Sequence, residues 1–297
     1  MKMKISILTA TYNHPNHLSA LYKSLLLQED KEFVWVVVND GSRQETDDLV
    51  KKFITESKVK IRYKYQQNKG KSAAINQALD MAMDSDFVVI VDDDEELFPN
   101  AINIVHDYCV KYHHKNIGCI NFNRADKKGN VLSNTPEKAD FVMSCQQHKS
   151  LGLHADGYAG YFMDILGKKR FPLFEGERYV GPSVLQMIAT VDSDMLWASA
   201  VLGRTEYLEG GITQKGRKLR LKNPRGMIYH AACYMNRNSN MKMKLGYSTR
   251  AFAYKYYAGF STAKLQKAGI DMSIFYPMQC IGIILASIWK MKFGHCK

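Results

Sequence analysis

The sequence predicts an α/β fold: a mostly parallel sheet flanked by helices, followed by a helical, basic C-terminal region. Three observations carry that reading. Over the first hundred residues, short apolar runs alternate with stretches of helical period. Each apolar run stops abruptly in polar or acidic residues, as buried parallel strands do at their open edge. Beyond residue 203 the charge changes: residues 203–297 hold 17 Lys/Arg against 3 Asp/Glu, within a chain of 297 residues and net charge +12.

The elements follow in order. Lys4 to Thr9 reads as a first strand, and the turn Ala10 to Asn16 leads into a helix with Leu18, Leu21, Tyr22, Leu25 and Leu26 on one face, started by His14-Pro15 or Asn16. Phe33 to Val38 is a second strand ending in Asn39-Asp40-Gly41-Ser42, and a helix follows over Asp47 to Thr55. Ile61 to Tyr65 alternates as a third strand, runs into Gln67 to Ser72, and precedes a helix over Ala73 to Met83. Strand and helix in this rhythm predict a doubly wound sheet. A helix over Asn100 to Tyr112, a strand over Gly118 to Phe122 and a hairpin-like turn at Asp126 to Asn130 come next. His106, His113 and His114 have no partner at metal-ligand spacing, so a partly exposed helix face suits them best.

The fourth strand ends in a block of acids, Asp92-Asp93-Asp94-Glu95-Glu96. In open α/β sheets ligands bind beyond the carboxyl ends of the strands. Carboxylates crowded there repel one another unless a cation compensates them. Hard divalent ions take oxygen ligands and share their shell with substrate phosphates. Such a block is either a metal site that holds a diphosphate or a solvated turn before the next helix. Four strand ends, at Thr9 to Tyr12, Asp40, Asn68 to Lys71 and Asp92 to Asp94, converge on this edge.

Thr11-Tyr12-Asn13, Asn39-Asp40-Gly41-Ser42, Asn68-x-Gly70-x-x-x-Ala74-x-Asn76 and Asp92-x-Asp94-Glu95 stand in the order and spacing of the family 2 glycosyltransferases, which this chain resembles over about its first hundred residues. The resemblance implies the GT-A fold, inverting transfer and a nucleotide-sugar site of Thr9, Ala10, Tyr12, Asp40, Asn68, Lys71, Asp92 and Asp93. It further implies that Asp94, with Asp92, holds a divalent metal, Mn²⁺ or Mg²⁺, both of which accept oxygen ligands. No Gly-x-Gly-x-x-Gly follows the first strand, which excludes a dinucleotide-binding dehydrogenase. Asp40 capping its own turn, and Asn68 and Asn76 as ordinary turn and helix residues, stay open as structural readings.

In the same family the base that deprotonates the acceptor hydroxyl comes from an acidic motif, here Glu175-Gly176-Glu177-Arg178-Tyr179-Val180-Gly181-Pro182 before a helix over Val184 to Thr190. Close relatives carry Pro-Glu where this chain has Gly181-Pro182, so the resemblance shifts the catalytic role to Glu177, with Glu175 second. Either could instead pair with Arg170, Arg178 or the basic tail. Met195 to Leu202 reads as an edge strand. It leads to Gly210-Gly211-Ile212-Thr213, an element that closes over the donor in related sequences. Lys215 to Arg225 is dense in cations, and Arg217, Lys218 and Arg220 suit acceptor phosphate groups; a solvated basic helix is the alternative.

The sequence therefore divides into a catalytic domain over 1–235 (nucleotide-sugar half 1–100, acceptor half 101–235) and a helical tail over 236–297. From Ile274 to Trp289 no residue is charged. The run is shorter than the ~20 residues a bilayer-spanning helix needs. With Trp289 and flanking lysines, residues 274–292 suit an interfacial helix on an anionic leaflet, or a buried helix against the catalytic domain or a second subunit. Six scattered cysteines and an N-terminus lacking a signal-like apolar stretch suggest a reducing, cytoplasmic setting, peripheral on the inner face of the plasma membrane. The expected function is sugar transfer from a nucleoside-diphosphate donor, UDP-linked first, to a lipid-linked saccharide in surface-glycan synthesis such as capsule. A donor-binding homologue with weak or lost activity is the first alternative, and a basic nucleic-acid-binding protein the second. A nucleic-acid partner is not expected, since it leaves Asp40, Asp92 and Asp94 without a role; a dimer is open.

Overall fold

In a computed structural model of the chain, residues 3–134, 139–153, 156–205 and 212–294 are described, with backbone alone over 212–215. The first half runs β1 (Ile5–Thr11), α1 (Pro15–Leu26), β2 (Phe33–Asp40), α2 (Gln44–Glu56), β3 (Lys60–Gln66), α3 (Lys71–Met81), β4 (Phe87–Ile90), β5 (Glu95–Leu97) and α4 (Ala101–Tyr112). There follow β6 (Ile117–Ala125), β7 (Phe141–Val142), α5 (Cys145–Ser150), β8 (Gly157–Phe162), α6 (Met163–Leu166), α7 (Ser183–Ala189) and β9 (Asp194–Thr205). Five helices close the chain: α8 (Ile212–Leu221), α9 (Pro224–Ala232), α10 (Met241–Tyr257), α11 (Thr262–Lys267) and α12 (Gln279–Phe293).

The chain forms two compact units that interleave in sequence. The first comprises Met1–Ser144, Leu153–Arg170 and Ala189–Leu208; the second comprises Cys145–Gly152, Phe171–Ile188 and Glu209–Lys297. Residues 235 and 236 both lie inside the second.

The first unit is built on one sheet of order β3-β2-β1-β4-β8-β6-β9-β5, with β7 on β9. β3, β2, β1 and β4 are mutually parallel; β2, β1 and β4 are largely apolar and buried, as central strands of such a sheet are, while β3 is its partly exposed edge. Beyond β4 the sheet turns mixed: β8 is antiparallel to β4 and β6, and β9 is parallel to β6. Trp35 of β2 lies 6.0 Å from the ring of Tyr22 on α1, which stacks at 3.9 Å on Phe53 of α2. These rings tie both helices to one face of the sheet. The hairpin turn forms as expected, with Asp126 N–H donating to the Asn130 carbonyl at 2.8 Å and Ala125 bridged to Val131.

Three expectations change. Met195 to Leu202 is not a free edge strand: opposite β6, β7 pairs with Leu196 and Trp197, and β9 continues to Thr205, where β5 pairs with Gly203–Thr205. Its partners are distant in sequence, and alternation alone cannot reveal them. The acidic block does not simply end a strand: Glu95–Leu97 forms β5, antiparallel to Gly203–Thr205 of β9. His106 is buried, its imidazole 3.6 Å from Asp30, whereas His113 is half-buried and His114 exposed.

In the second unit α12 begins after Pro277 and lays Gly282, Ala286 and Trp289 against its neighbours. A Cβ at Gly282 would stand 2.5 Å from Cβ of Phe252, so only glycine lets α12 approach α10 this closely. No helix among the described residues is long and apolar enough to cross a membrane.

Candidate active site

The open edge of the parallel strands is laced by the residues that punctuate them. Asp40, at the end of β2, is buried and accepts hydrogen bonds from Gln66 Nε2 (2.7 Å), Lys69 N–H (2.9 Å) and Gly70 N–H (2.8 Å). Its carboxylate thereby shapes the turn that starts α3. Gly41, at φ +78°, lies under that turn; a Cβ there would stand 2.6 Å from the Asn68 nitrogen. The position needs glycine both for its left-handed backbone and for the close approach. Asn39 Oδ1 accepts from Ser42 N–H at 2.8 Å, and Ser42 Oγ accepts from Asn13 N–H at 2.9 Å. Asn13 Oδ1 in turn accepts from Arg43 N–H at 2.8 Å. The turns after β1, β2 and β3 are therefore one braced surface.

Thr9 turns inward, its hydroxyl accepting from the Trp35 indole at 3.0 Å, while Tyr12 stands exposed. Lys71, in the first turn of α3, reaches Asp92 with Nζ to Oδ2 at 2.5 Å. Burial opposes the charge on Lys71, but Asp92, backed by Asp93 and Asp94, outweighs it and holds the ammonium above the usual lysine range. Burial likewise works against ionised Asp92, and Lys71 overcomes it, drawing that carboxyl below its ordinary range. Asp94 moves the other way: burial, then repulsion from Asp92 and Asp93, raises its carboxyl. Asp93 lies 3.3 Å from Nδ1 of His14.

This donor set fits a hard divalent ion: oxygen-only carboxylates at a strand end, one of them short of compensating charge. Among the described residues no cluster of three or more His, Cys, Asp or Glu could hold a metal alone. Phosphate oxygens would have to complete the shell.

Beneath the acids lies a network that sequence reasoning missed. Glu95 is buried; its Oε2 accepts from Asp92 N–H at 2.8 Å and its Oε1 pairs with Arg124, which also pairs with Asp156. Arg124 sits on β6, 29 residues from Glu95, so no local spacing marks it. The only sequence signal is that a buried glutamate demands a cation.

The acidic motif lies in the second unit. Glu177 Oε1 accepts from Arg225 N–H (2.9 Å) and Nε (3.0 Å), and Oε2 accepts from Gly226 N–H (2.9 Å). It holds the first turn of α9, where helix N–H groups lack partners within the helix. Its partner is Arg225, not Arg170, which pairs with Asp80, nor Arg178. Asn223 adds to the clamp, accepting from Arg178 N–H (2.7 Å) and Tyr179 N–H (3.0 Å). Glu175 is exposed. Gly210 and Gly211 lie outside the described residues, as do the side chains of Ile212 and Thr213. The basic segment is broken: Gly216 at φ 45° kinks α8, and Asn223-Pro224 starts α9. Arg217 is half-buried, and Lys218 and Arg220 are exposed.

Fold and strand-end carboxylates together define an α/β chain of the GT-A-like class. The family model of glycosyl transferase family 2 matches residues 6–168. The chain belongs to that family. It is 33% identical over 109 residues to Glycosyltransferase GlyA of Streptococcus pneumoniae serotype 4, covering 37% of this chain and 15% of that protein. It is 29% identical over 100 residues to an uncharacterized glycosyltransferase, alr2836, of Nostoc, covering 34% of this chain and 31% of that one. The chain thus matches less than a third of either relative's length. Among solved structures it is similar to S. aureus TarS 1-349 in complex with UDP-GlcNAc, at TM-score 0.66 and 15% identity, covering 98% of this chain and 92% of that one. It is also similar to the mannosyltransferase PcManGT of Pyrobaculum calidifontis in complex with GDP-Man and Mn²⁺, at TM-score 0.59 and 17% identity, covering 98% and 88%. At these identities the structures establish the shared fold.

Proposed function

We propose that the chain transfers a sugar from a nucleoside-diphosphate donor, UDP-linked first, to a hydroxyl of a lipid-linked saccharide, with inversion at the anomeric carbon. The observation that carries this is the run Asp92–Asp93–Asp94 at the open edge of the parallel strands of a family 2 chain, with Lys71 paired to Asp92. Crowded carboxylates there are the arrangement a cation-bound diphosphate relieves. Membership of the family and the nucleotide sugars carried by the TarS and PcManGT structures support the donor class.

In this reading the surface braced by Asp40 receives the nucleoside with Ala10, Tyr12 and Asn68, Thr9 supporting it from the core side. Lys71, Asp92 and Asp93 lie at the diphosphate side, and Asp94 with Asp92 would hold Mn²⁺ or Mg²⁺. Bound there, the metal would neutralise charge on the departing diphosphate as a Lewis acid. A carboxylate of the Glu175–Glu177 motif takes the acceptor proton. Glu177 has both oxygens committed to α9, so the role falls first to Glu175. The function of Arg217, Lys218 and Arg220 is to attract acceptor phosphate.

The membrane partner is argued from α12. Its outward side exposes Ile281, Ile284, Ile288 and Met291 while Lys290 and Lys292 flank the ridge. An apolar ridge with cations suits an anionic leaflet, which supports a peripheral position on the inner face of the plasma membrane as part of this proposal. The catalytic domain over 1–235, the tail over 236–297 and a role in capsule or other surface-glycan synthesis belong to the same proposal. Nuclear magnetic resonance of the product from a UDP-α-sugar and a short-chain lipid-linked sugar tests it. A β-linked product is expected; an α-linked product, or none from UDP-, GDP- or TDP-sugars, contradicts it.

A further inference from the structure

The second unit contains a cavity of about 550 Å³, within the ~300–1,000 Å³ usual for small-molecule sites. Among the described residues that line it, four are cations, Lys149, Arg217, Arg220 and Arg250, and none is a carboxylate. They come from α5, α8 and α10, segments far apart in sequence, so the fold gathers this charge. Among the described residues none of the four forms a salt bridge. Arg217 instead donates to the Tyr254 hydroxyl at 3.0 Å and lies 4.7 Å from the centre of the Trp289 ring, which fixes its guanidinium. Arg250 lies over the Tyr247 ring at 4.5 Å.

The remaining wall is aromatic and polar. Tyr234 and Tyr247 stack at 4.0 Å with their planes 4° apart, and His230 meets both edge-on at 5.4 and 5.9 Å. Ser183, beside the Gly181-Pro182 step, shares a hydrogen bond with Nε2 of His230 at 3.1 Å. Burial, then Arg220, Lys149 and Arg250, pushes the imidazole down to about 4, so the positive field of these three residues meets at this ring.

Four cations facing one cavity, without a carboxylate partner among the described residues, suit an anion. Arginine suits phosphate oxygens, which its planar fork binds in pairs. Tyrosine faces and hydroxyls suit a ring that is polar at its rim and apolar on its face. We propose that this cavity binds a phosphorylated saccharide, its phosphate between Arg217, Arg220, Arg250 and Lys149 and its sugar ring against the tyrosines. That the bound group belongs to the acceptor rests on the function proposed above; the binding itself does not.

Calorimetric titration of the full chain with glucose 1-phosphate, glucose and UDP, on wild type and on Arg220→Gln/Arg250→Gln, tests the site. Glucose 1-phosphate is expected to bind at least ten-fold more tightly than glucose, and to weaken at least ten-fold in the double variant, with UDP affinity unchanged. Both arginines are exposed, and the comparison of glucose 1-phosphate with glucose needs no variant. Equal affinity for the two sugars overturns the proposal, as does binding that the double substitution leaves intact. Loss of UDP in parallel assigns the cavity to the donor's diphosphate and overturns it. Binding of phosphatidylglycerol vesicles that the double variant loses, without binding of glucose 1-phosphate, assigns the cations to a lipid headgroup and overturns it as well. Absence of sugar transfer with glucose 1-phosphate binding intact refutes the enzymatic reading and leaves this site standing.

Discussion

Replacing Arg124 by Met tests whether the buried network beneath the acids holds them in place. The Glu95 side chain is 2% exposed and that of Arg124 12%. The substitution leaves a buried carboxylate with one backbone donor, Asp92 N–H, and no cation. Breaking a buried pair from one side costs about 3–5 kcal/mol. Asp156, the other acid on Arg124, is 26% exposed and can turn to water, so the cost rests mainly on Glu95. With a urea m-value of about 3 kcal/mol/M, the midpoint of the first unit's unfolding falls by ~1–1.7 M. Adding Glu95→Gln removes the stranded charge and keeps an acceptor for Asp92 N–H. The double variant is expected to recover at least half the loss, because replacing both members of a buried pair is far cheaper than removing one. Urea unfolding followed by circular dichroism measures both. A midpoint shift under about 0.3 M for Arg124→Met, or a double variant no better than the single, refutes the reasoning.

Two further outcomes are expected. His230 titrates at about 4 in the fold against an ordinary 6.5. Between those values the unfolded chain takes up a proton that the folded ring refuses, so stability falls as pH drops through this window and is fully present above it. The full shift corresponds to about 3 kcal/mol, and partial exposure of the ring brings it to about 1–3 kcal/mol. Urea midpoints at pH 7 and pH 4.5 measure it; an identical pH slope in His230→Gln contradicts it. Ile284→Glu/Ile288→Glu alters two exposed positions of α12. It is expected to reduce sedimentation with phosphatidylglycerol vesicles at least ten-fold while the melting temperature holds; unchanged sedimentation removes the membrane role.

The first hundred residues of the fold were legible because their signals are local. The runs at Ile5–Thr11, Phe33–Asp40 and Phe87–Ile90 are largely apolar and buried, and the polar residues at their ends mark the sheet's open edge. Motif residues read only as a pattern, such as Asn13, Asn39 and Gly41, prove to bind three turns together. What escaped depends on distant partners. β5 is three residues long, and two are acids, so its strand character comes from pairing with β9. Arg124 and Arg225 draw meaning from Glu95 and Glu177, which lie 29 and 48 residues away. Asn223-Pro224 was a readable helix start within the basic segment; charge density hid it. The cavity of the second unit is assembled from α5, the start of α7, and α8 to α10, and no window of sequence contains it.

The central claim is that Asp94 and its neighbours form a metal-assisted nucleotide site. Calorimetric binding of UDP, GDP and TDP, with and without Mn²⁺, on wild type and Asp94→Ala measures it most directly. The account predicts that one nucleotide binds, that Mn²⁺ tightens it at least ten-fold, and that Asp94→Ala abolishes the metal's contribution. No nucleotide binding, or binding indifferent to both Mn²⁺ and Asp94, contradicts it.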